Sequence, residues 1–364
     1  MERTCRDIVS NLISKPAALA ELETRFWQYQ SLAEPVFSAE PSLDEEIAFI
    51  WRHKLEVERA AEFKRIQKSQ QRNEEFKKFR QFFGRAFEVE LERHLLQPEQ
   101  LQYDLGITAA QLDLLYALLS DKGDIRSLVT QLQANPEISR ALMRHINSNR
   151  FKGRRGQELT SVQLAVTYIG YEKVRELLPG LIFEHWSWAP DHSQGIQQRK
   201  LWRWFRLFRR ACINRLKQQG VDAHGARIYA CVFALGPIIV HRQATGLFAQ
   251  MRQQWMNQAR VEESQDVYEG VRQLRMPCQP LAVHYEAHLE IAHRFLMGLE
   301  YKGPFLALFE QLQRPWFSNS GITKELPKAF AQVMYDTLVT RIKTDESELN
   351  PLLQFYQLNE SSSG

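Results

Sequence analysis

Along most of this chain, apolar residues recur at intervals of three and four, the spacing of one helix face. Alternating Val, Ile and Thr runs bounded by tight turns are nearly absent. The pattern predicts an all-α protein. Leu12–Tyr29 reads as a helix, and Ala33–Leu43, with Pro35 and Pro41, as a connector. Asp44–Leu96 contains no proline and a single glycine, Gly84, which fits one long helix or two abutting ones. Its first half offers Trp51, Leu55, Phe63 and Ile66; its second offers Phe76, Phe79, Phe83, Phe87, Leu91 and Leu95. Between them, Gln67–Glu75 has no apolar residue. A stretch that is polar all round bridges solvent or is held by charge pairs. The stripe Phe76–Phe87 reads as a packing face against the rest of the protein, with a dimerisation or partner surface as the competing reading.

Further helices are expected over Ile107–Leu119 and over Ile125–Ala134, the latter capped by Asp124. Another begins at Pro136, where proline in the first turn loses no hydrogen bond. A basic loop, Arg150–Gly156, follows. Val162–Ile169 is capped by Thr160 or Ser161 and stopped by Gly170, and Tyr171–Leu178 is ended by Pro179. Then come Gln197–Gln218, Ala226–Val240 interrupted at Gly236-Pro237, Ala244–Arg260, Val267–Met276, Leu281–Leu299, Pro304–Leu312 and Pro327–Lys343. The tail, Ser361–Gly364, is expected to be disordered.

Composition narrows the class. The chain has 364 residues, 44% hydrophobic and 25% charged, which excludes disorder as a whole-chain description. A net charge of +4, from 47 basic and 43 acidic residues, makes no case for nucleic-acid binding by bulk charge. Cys5, Cys212, Cys231 and Cys278 are scattered, with no CxxC pair, so neither a zinc ribbon nor a disulfide framework is indicated and a reducing cytoplasm fits. The charged N-terminus lacks a signal-peptide core. The longest apolar run, Tyr229–Val240, is about half of a membrane span and reads as buried core, so no span is expected.

Residues 113–178 carry a family resemblance. Asn135-Pro136 is followed by Ser139, Leu142, Asn147-Ser148 and Phe151, then by Thr160-Ser161, Ala165, Ile169-Gly170 and Val174–Leu177. In order and spacing this resembles the start of an HDOD domain, a bacterial signalling module related to the HD phosphohydrolases. The later part, to about residue 310, is similar only in helical outline. The resemblance implies an N-terminal helical extension at 1–100, an HDOD-like domain at 101–312, and a C-terminal helix and tail at 313–364. Catalytic HD relatives carry His-Asp within an apolar helix, followed shortly by glycine. The corresponding stretch here is Ala230–Gly236, which sets Phe233 and Ala234 in the His-Asp place. Neither can ligate a metal, and none of the ten histidines is followed by Asp. The resemblance therefore implies a retained fold with a degenerate metal site and no cofactor. It implies action through a protein partner in a signalling pathway or through a small ligand.

Several residues remain as candidates, each with two readings. His284 and His288 are four apart, with Glu290 and His293 nearby, and could share a metal; the plain reading is surface or satisfied histidines, since a site needs three or more convergent ligands. Asn147 and Ser148 could contact a ligand, or could finish a helix, Asn through a left-handed conformation. Gly153-Arg154-Arg155-Gly156 could contact an anion, but matches no phosphate-loop motif. On Gln197–Gln218, at about 100° per residue, Arg199, Arg203, Arg206, Arg210 and Lys217 fall in a band of roughly 60°. Leu201, Phe205, Phe208, Cys212 and Leu216 fall opposite, and Arg199–Lys217 contains no acid. That stripe could bind nucleotide, nucleic acid, an anionic membrane or an acidic partner. Otherwise it is a solvated face paired with acids such as Glu56, Glu58 or Glu74. A divergent phosphohydrolase and a homodimer also remain open.

Overall fold

The computed structural model describes residues 15–31, 56–97, 101, 105–120, 124–148, 158–187, 195–314 and 318–358. Phe151, the 150–156 loop, the 33–43 connector and the 361–364 tail lie outside these, as do the side chains of Glu56, Glu58 and Glu74. Among the described residues every regular element is helical. The chain runs α1 Ala17–Ser31, α2 Glu56–Leu96, α3 Ala109–Ala117, α4 Ile125–Gln133, α5 Pro136–Asn147 and α6 Val162–Ile169. It continues with α7 Tyr171–Ser187, α8 Gly195–Leu216, α9 Ala223–Phe233, α10 Leu235–Val261 and α11 Gln265–Arg272. The last helices are α12 Cys278–Glu286, α13 His288–Gly298, α14 Pro304–Leu312, α15 Ile322–Thr337 and α16 Asn350–Phe355.

The α9–α10 stretch is the axle. It is fully buried from Ala230 to His241, and α2, α11 and α13 pack against α10. Ala223–Val261 is also the one helical stretch among the described residues long and apolar enough to cross a membrane, yet 78% of its most apolar window is buried in this fold. Side chains from α1, α2, the middle helices and α15–α16 join one continuous core. The stripe on α2 buries Phe83, Phe87, Leu91 and Leu95, with Phe83 edge-on to Phe248 at 5.8 Å and to Trp255 at 5.0 Å. Phe82 stays exposed beside Trp255.

Local chemistry sets several boundaries as expected. Asp124 accepts from the backbone N–H groups of Arg126 and Ser127, and Ser161 accepts from that of Leu164. Gly170 ends α6 at φ +82°, a conformation open to glycine.

The helix expected over Pro327–Lys343 starts at Ile322, with Pro327 inside it, and passes at Leu338 into a π-helical turn. Three further boundaries differ in the core. Pro179 does not end α7, which continues to Ser187. An interior proline costs about 3 kcal/mol, but the turns beyond it bury Ile182, Phe183 and Trp186. Phe183 stacks on Phe205 at 3.7 Å and Trp186 donates to Gln111 at 2.7 Å, and this packing outweighs the lost backbone bond. Gly236-Pro237 likewise does not interrupt a helix. The break falls at Ala234, Pro237 occupies the first turn of α10, and α10 then runs unbroken through His241–Gln243.

The predicted helix Leu281–Leu299 divides at Ala287 into α12 and α13. The cause lies across the interface. A β-carbon at Gly236 would stand 2.1 Å from the His288 carbonyl oxygen. The start of α13 is thus seated directly on the α10 backbone, and only glycine leaves room. Gly236→Ala should destabilise the fold by about 2–3 kcal/mol through overpacking. Gly246→Ala, on the same helix with nothing within 4 Å, should instead stabilise it by about 0.5–1 kcal/mol. Urea unfolding of the two variants reads both signs.

Candidate functional site

Phe233 ends α9 and points into an aromatic centre. Its ring lies 4.9 Å from Phe208 on α8, 5.5 Å from the His288 imidazole on α13 and 6.1 Å from Phe330 on α15. From the N-terminal side, Trp27 on α1 stacks on Tyr285 at 4.6 Å and on Phe330 at 5.6 Å, and meets His288 at 5.9 Å. Trp204 stacks on Phe208 at 5.4 Å. All of these side chains are buried, and so is Ala234. The amphipathic α1 forms because Leu19, Leu22, Phe26 and Trp27 share one buried face. It thereby delivers an indole into the centre of a domain that begins some eighty residues later.

His288 is the one imidazole in this centre. Its Nδ1 donates to the Tyr285 carbonyl oxygen at 2.8 Å, which leaves Nε2 as the lone-pair nitrogen, buried with no hydrogen-bond partner among the described residues. Burial holds the imidazole neutral, down to about 4. His241 on α10 is buried too and also pushed down to about 4, by desolvation first and then by neighbouring Arg242. Neutral imidazole is the metal-binding form, but the rings around His288 offer no carboxylate or thiolate. His284 is buried and His293 is half-buried; among the described residues no three His, Cys, Asp or Glu side chains form a metal-holding group.

A polar layer borders the aromatic one, and spacing in the sequence gives no hint of it. Thr24 donates to Glu286 at 2.6 Å, Lys15 pairs with Glu23 at 2.7 Å, and the Tyr356 hydroxyl donates to Glu23 at 3.2 Å. Burial raises the Glu286 carboxyl. Arg25 adds an ion pair to Glu348 at 2.7 Å and a bond to Thr344 at 3.1 Å. These contacts fasten α1 to α12 and to the C-terminal segment.

α8 divides its faces as the periodicity predicts. Leu201, Phe205, Phe208, Cys212 and Leu216 are buried, whereas Arg199, Arg203, Arg206, Arg210 and Lys217 are all exposed. Of the three remaining cations, Lys200 donates to the Tyr29 carbonyl at 2.7 Å, Arg215 pairs with Glu325 at 3.4 Å, and Arg209 is half-buried. Half-burial lowers Lys200 to about 8.

Residues 107–263 match the family model of the HDOD domain. The chain carries an HDOD domain. It lies inside the 101–312 span and holds the axle, the basic helix and Phe233. A crystal structure of a protein from Shewanella amazonensis SB2B, provisionally described as a metal-dependent phosphohydrolase, is similar at 13% identity over 76% of this chain and 99% of its own, with a TM-score of 0.34. A likeness of that size decides nothing about activity. No curated protein matches the chain.

Within the HDOD domain the motif residues hold the backbone together. Asn135 donates to the carbonyls of Ala110 and Gln131, at 3.3 and 2.9 Å, and Pro136 opens α5. Asn147 does not take a left-handed conformation. Its amide pairs in both directions with Leu159, donating to the carbonyl at 2.8 Å and accepting from the N–H at 2.9 Å. It therefore ties the end of α5 to the approach to α6, while Ser148 turns extended and donates to His145 O at 2.7 Å. Arg175, which the sequence did not single out, is buried and reaches the Leu118 and Leu119 carbonyls at 2.6 and 3.3 Å and Asp222 at 3.0 Å. Asp222 in turn caps α9 through Gly225 N at 2.7 Å. One guanidinium so joins α3, α7 and α9.

The two low histidines give the fold an acid limit. Their folded pKa values, about 4, lie below the ordinary 6.5, so the unfolded chain takes up protons first. Stability is full above about pH 6.5 and falls as pH drops toward 4. Each histidine should contribute a loss of up to about 1.4 kcal/mol per pH unit in that window. Urea unfolding at several pH values tests this, with His288→Gln flattening the slope.

Proposed function

We propose that this protein is a bacterial regulatory or signal-transduction protein, acting in the cytoplasm, whose HDOD domain works by binding rather than by catalysis. The observation that supports the reading is the filling of the centre. Where HD relatives would need His-Asp, Phe233 packs among Phe208, Phe330 and His288, and Ala234 presents a methyl group. Metal-activated hydrolysis needs ligands that fix the ion and an open position for water, and neither a phenyl ring nor a methyl supplies them. No cofactor is called for.

A binding role places the function on surfaces. One is the exposed face of α8. Another is a groove of about 310 Å³ where Tyr116 and Tyr229 of the HDOD domain meet Phe305 and Leu308 of α14 and Thr323 of α15. A small ligand or a partner segment seated there would bridge the domain and its C-terminal helices. This is a route for a signal through helix packing. The choice of signalling over other binding roles comes from the family, since fold alone does not fix function.

Elemental analysis of protein purified without chelators should find Fe, Mn and Zn well below one equivalent, with no phosphodiester or nucleotide hydrolysis on adding Mn²⁺. A stoichiometric metal that disappears in His284→Ala and His293→Ala, both still folded by circular dichroism, would sink the proposal in favour of a divergent phosphohydrolase.

A further inference from the structure

The outer face of α8 and the 3-10 turn that follows it carry a row of five exposed cations, Arg199, Arg203, Arg206, Arg210 and, just past the helix end, Lys217, in a stretch free of acids. Among the described residues none of the five is ion-paired. The helix uses two of its other cations inward, Lys200 on Tyr29 and Arg215 on Glu325, so the outer row is not a by-product of core pairing. At 1.5 Å per residue the row is about 27 Å long, and its first four members are about 4.5–6 Å apart along the axis.

The chemistry of this face selects among polyanions. Leu207 is its one exposed large apolar side chain. A protein interface draws its energy from apolar and aromatic anchors, and a membrane-surface helix inserts an apolar face. On α8 that face is already spent on the core, where Trp204, Phe205 and Phe208 are buried and Trp202 packs on Phe183 at 4.9 Å. Single strands are held by stacking bases on exposed aromatics, and this face has none. What remains is a straight, arginine-rich rod, suited to phosphates through the planar guanidinium fork. About 27 Å covers some eight base-pair steps of a duplex at 3.4 Å each. We propose that the outer face of α8 docks duplex nucleic acid through its phosphate backbone, without reading sequence. The surface is separate from the aromatic centre, and the protein's metal content has no bearing on it.

The test uses the full chain and a fluorescent duplex DNA of about 20 base pairs, with affinity measured across salt. With about four phosphates engaged, affinity should fall roughly a hundredfold between 50 and 200 mM salt, along a straight log–log line. A second, unrelated duplex should bind equally well. Arg203→Glu with Arg206→Glu should weaken binding at least about tenfold, while the paired Arg→Lys variant keeps most of it. Thermal unfolding checks that both variants fold. Three results overturn the proposal: no duplex binding at 50 mM salt, binding untouched by the charge reversal, or equal or tighter binding to single-stranded DNA, polyglutamate or phosphatidylglycerol vesicles. In the last case the tighter ligand names the partner class in its place.

Discussion

The seating of His288 on Gly236 is the constraint on which the rest of this structure depends. Two helix backbones meet there with no side chain between them. The break at Ala287 falls immediately before that contact, so α13 begins on the α10 backbone. The break then turns the imidazole toward Phe233, and Tyr285, one turn earlier, toward Trp27. Ala234 ends α9 immediately before the contact, so the end of one axle helix and the start of the next are positioned by the same approach. A single missing β-carbon thus aligns four helices around the centre.

The N-terminal helix then completes that centre. Trp27 lies between Tyr285 and Phe330 with ring separations of 4.6 and 5.6 Å, which makes α1 part of the core although it precedes the matched HDOD span. Large aromatic side chains each bury roughly 150–250 Å², so the indole contributes far more than the exposed ion pair between Arg25 and Glu348. The polar layer of Glu23, Thr24, Glu286 and Tyr356 fixes orientation instead. Carboxylates this buried are tolerated only because their oxygens are satisfied, and their partners come from α1, α12 and the C-terminal segment together.

Much of this architecture was legible from sequence because it rests on local rules. Helix class, the caps at Asp124 and Ser161, the stop at Gly170 and the two faces of α8 all follow from periodicity and backbone chemistry. The failures share one cause. Pro179, Gly236-Pro237 and the Leu281–Leu299 run were read by intrinsic propensity, and each was decided by tertiary contacts: Phe183 on Phe205, Pro237 in a first turn set by Ala234, and His288 on Gly236. Of the candidate site, Phe233 and Ala234 were reached through the family resemblance. Their aromatic surroundings were not, because Trp27, Phe208, His288 and Phe330 are far apart in sequence and carry no shared spacing. Arg175 was invisible for the same reason, since a lone arginine in a helix gives no sign that it caps another one.

A polar catalytic centre holds its fold together at a cost, because ligands, water and charge must be kept within the core and compensated. Here the centre is lined mainly by aromatic rings, and His288 is the one imidazole among them. His288 keeps a buried Nε2 with no partner among the described residues and is held neutral by the surrounding rings. A phenyl ring there would avoid the unsatisfied nitrogen but would lose the Nδ1 bond to the Tyr285 carbonyl. That bond closes the last turn of α12 where the chain breaks. The histidine is therefore explained by the break it satisfies, and the same break is what Gly236 requires. The hydrogen bond and the close approach together give the imidazole a structural role.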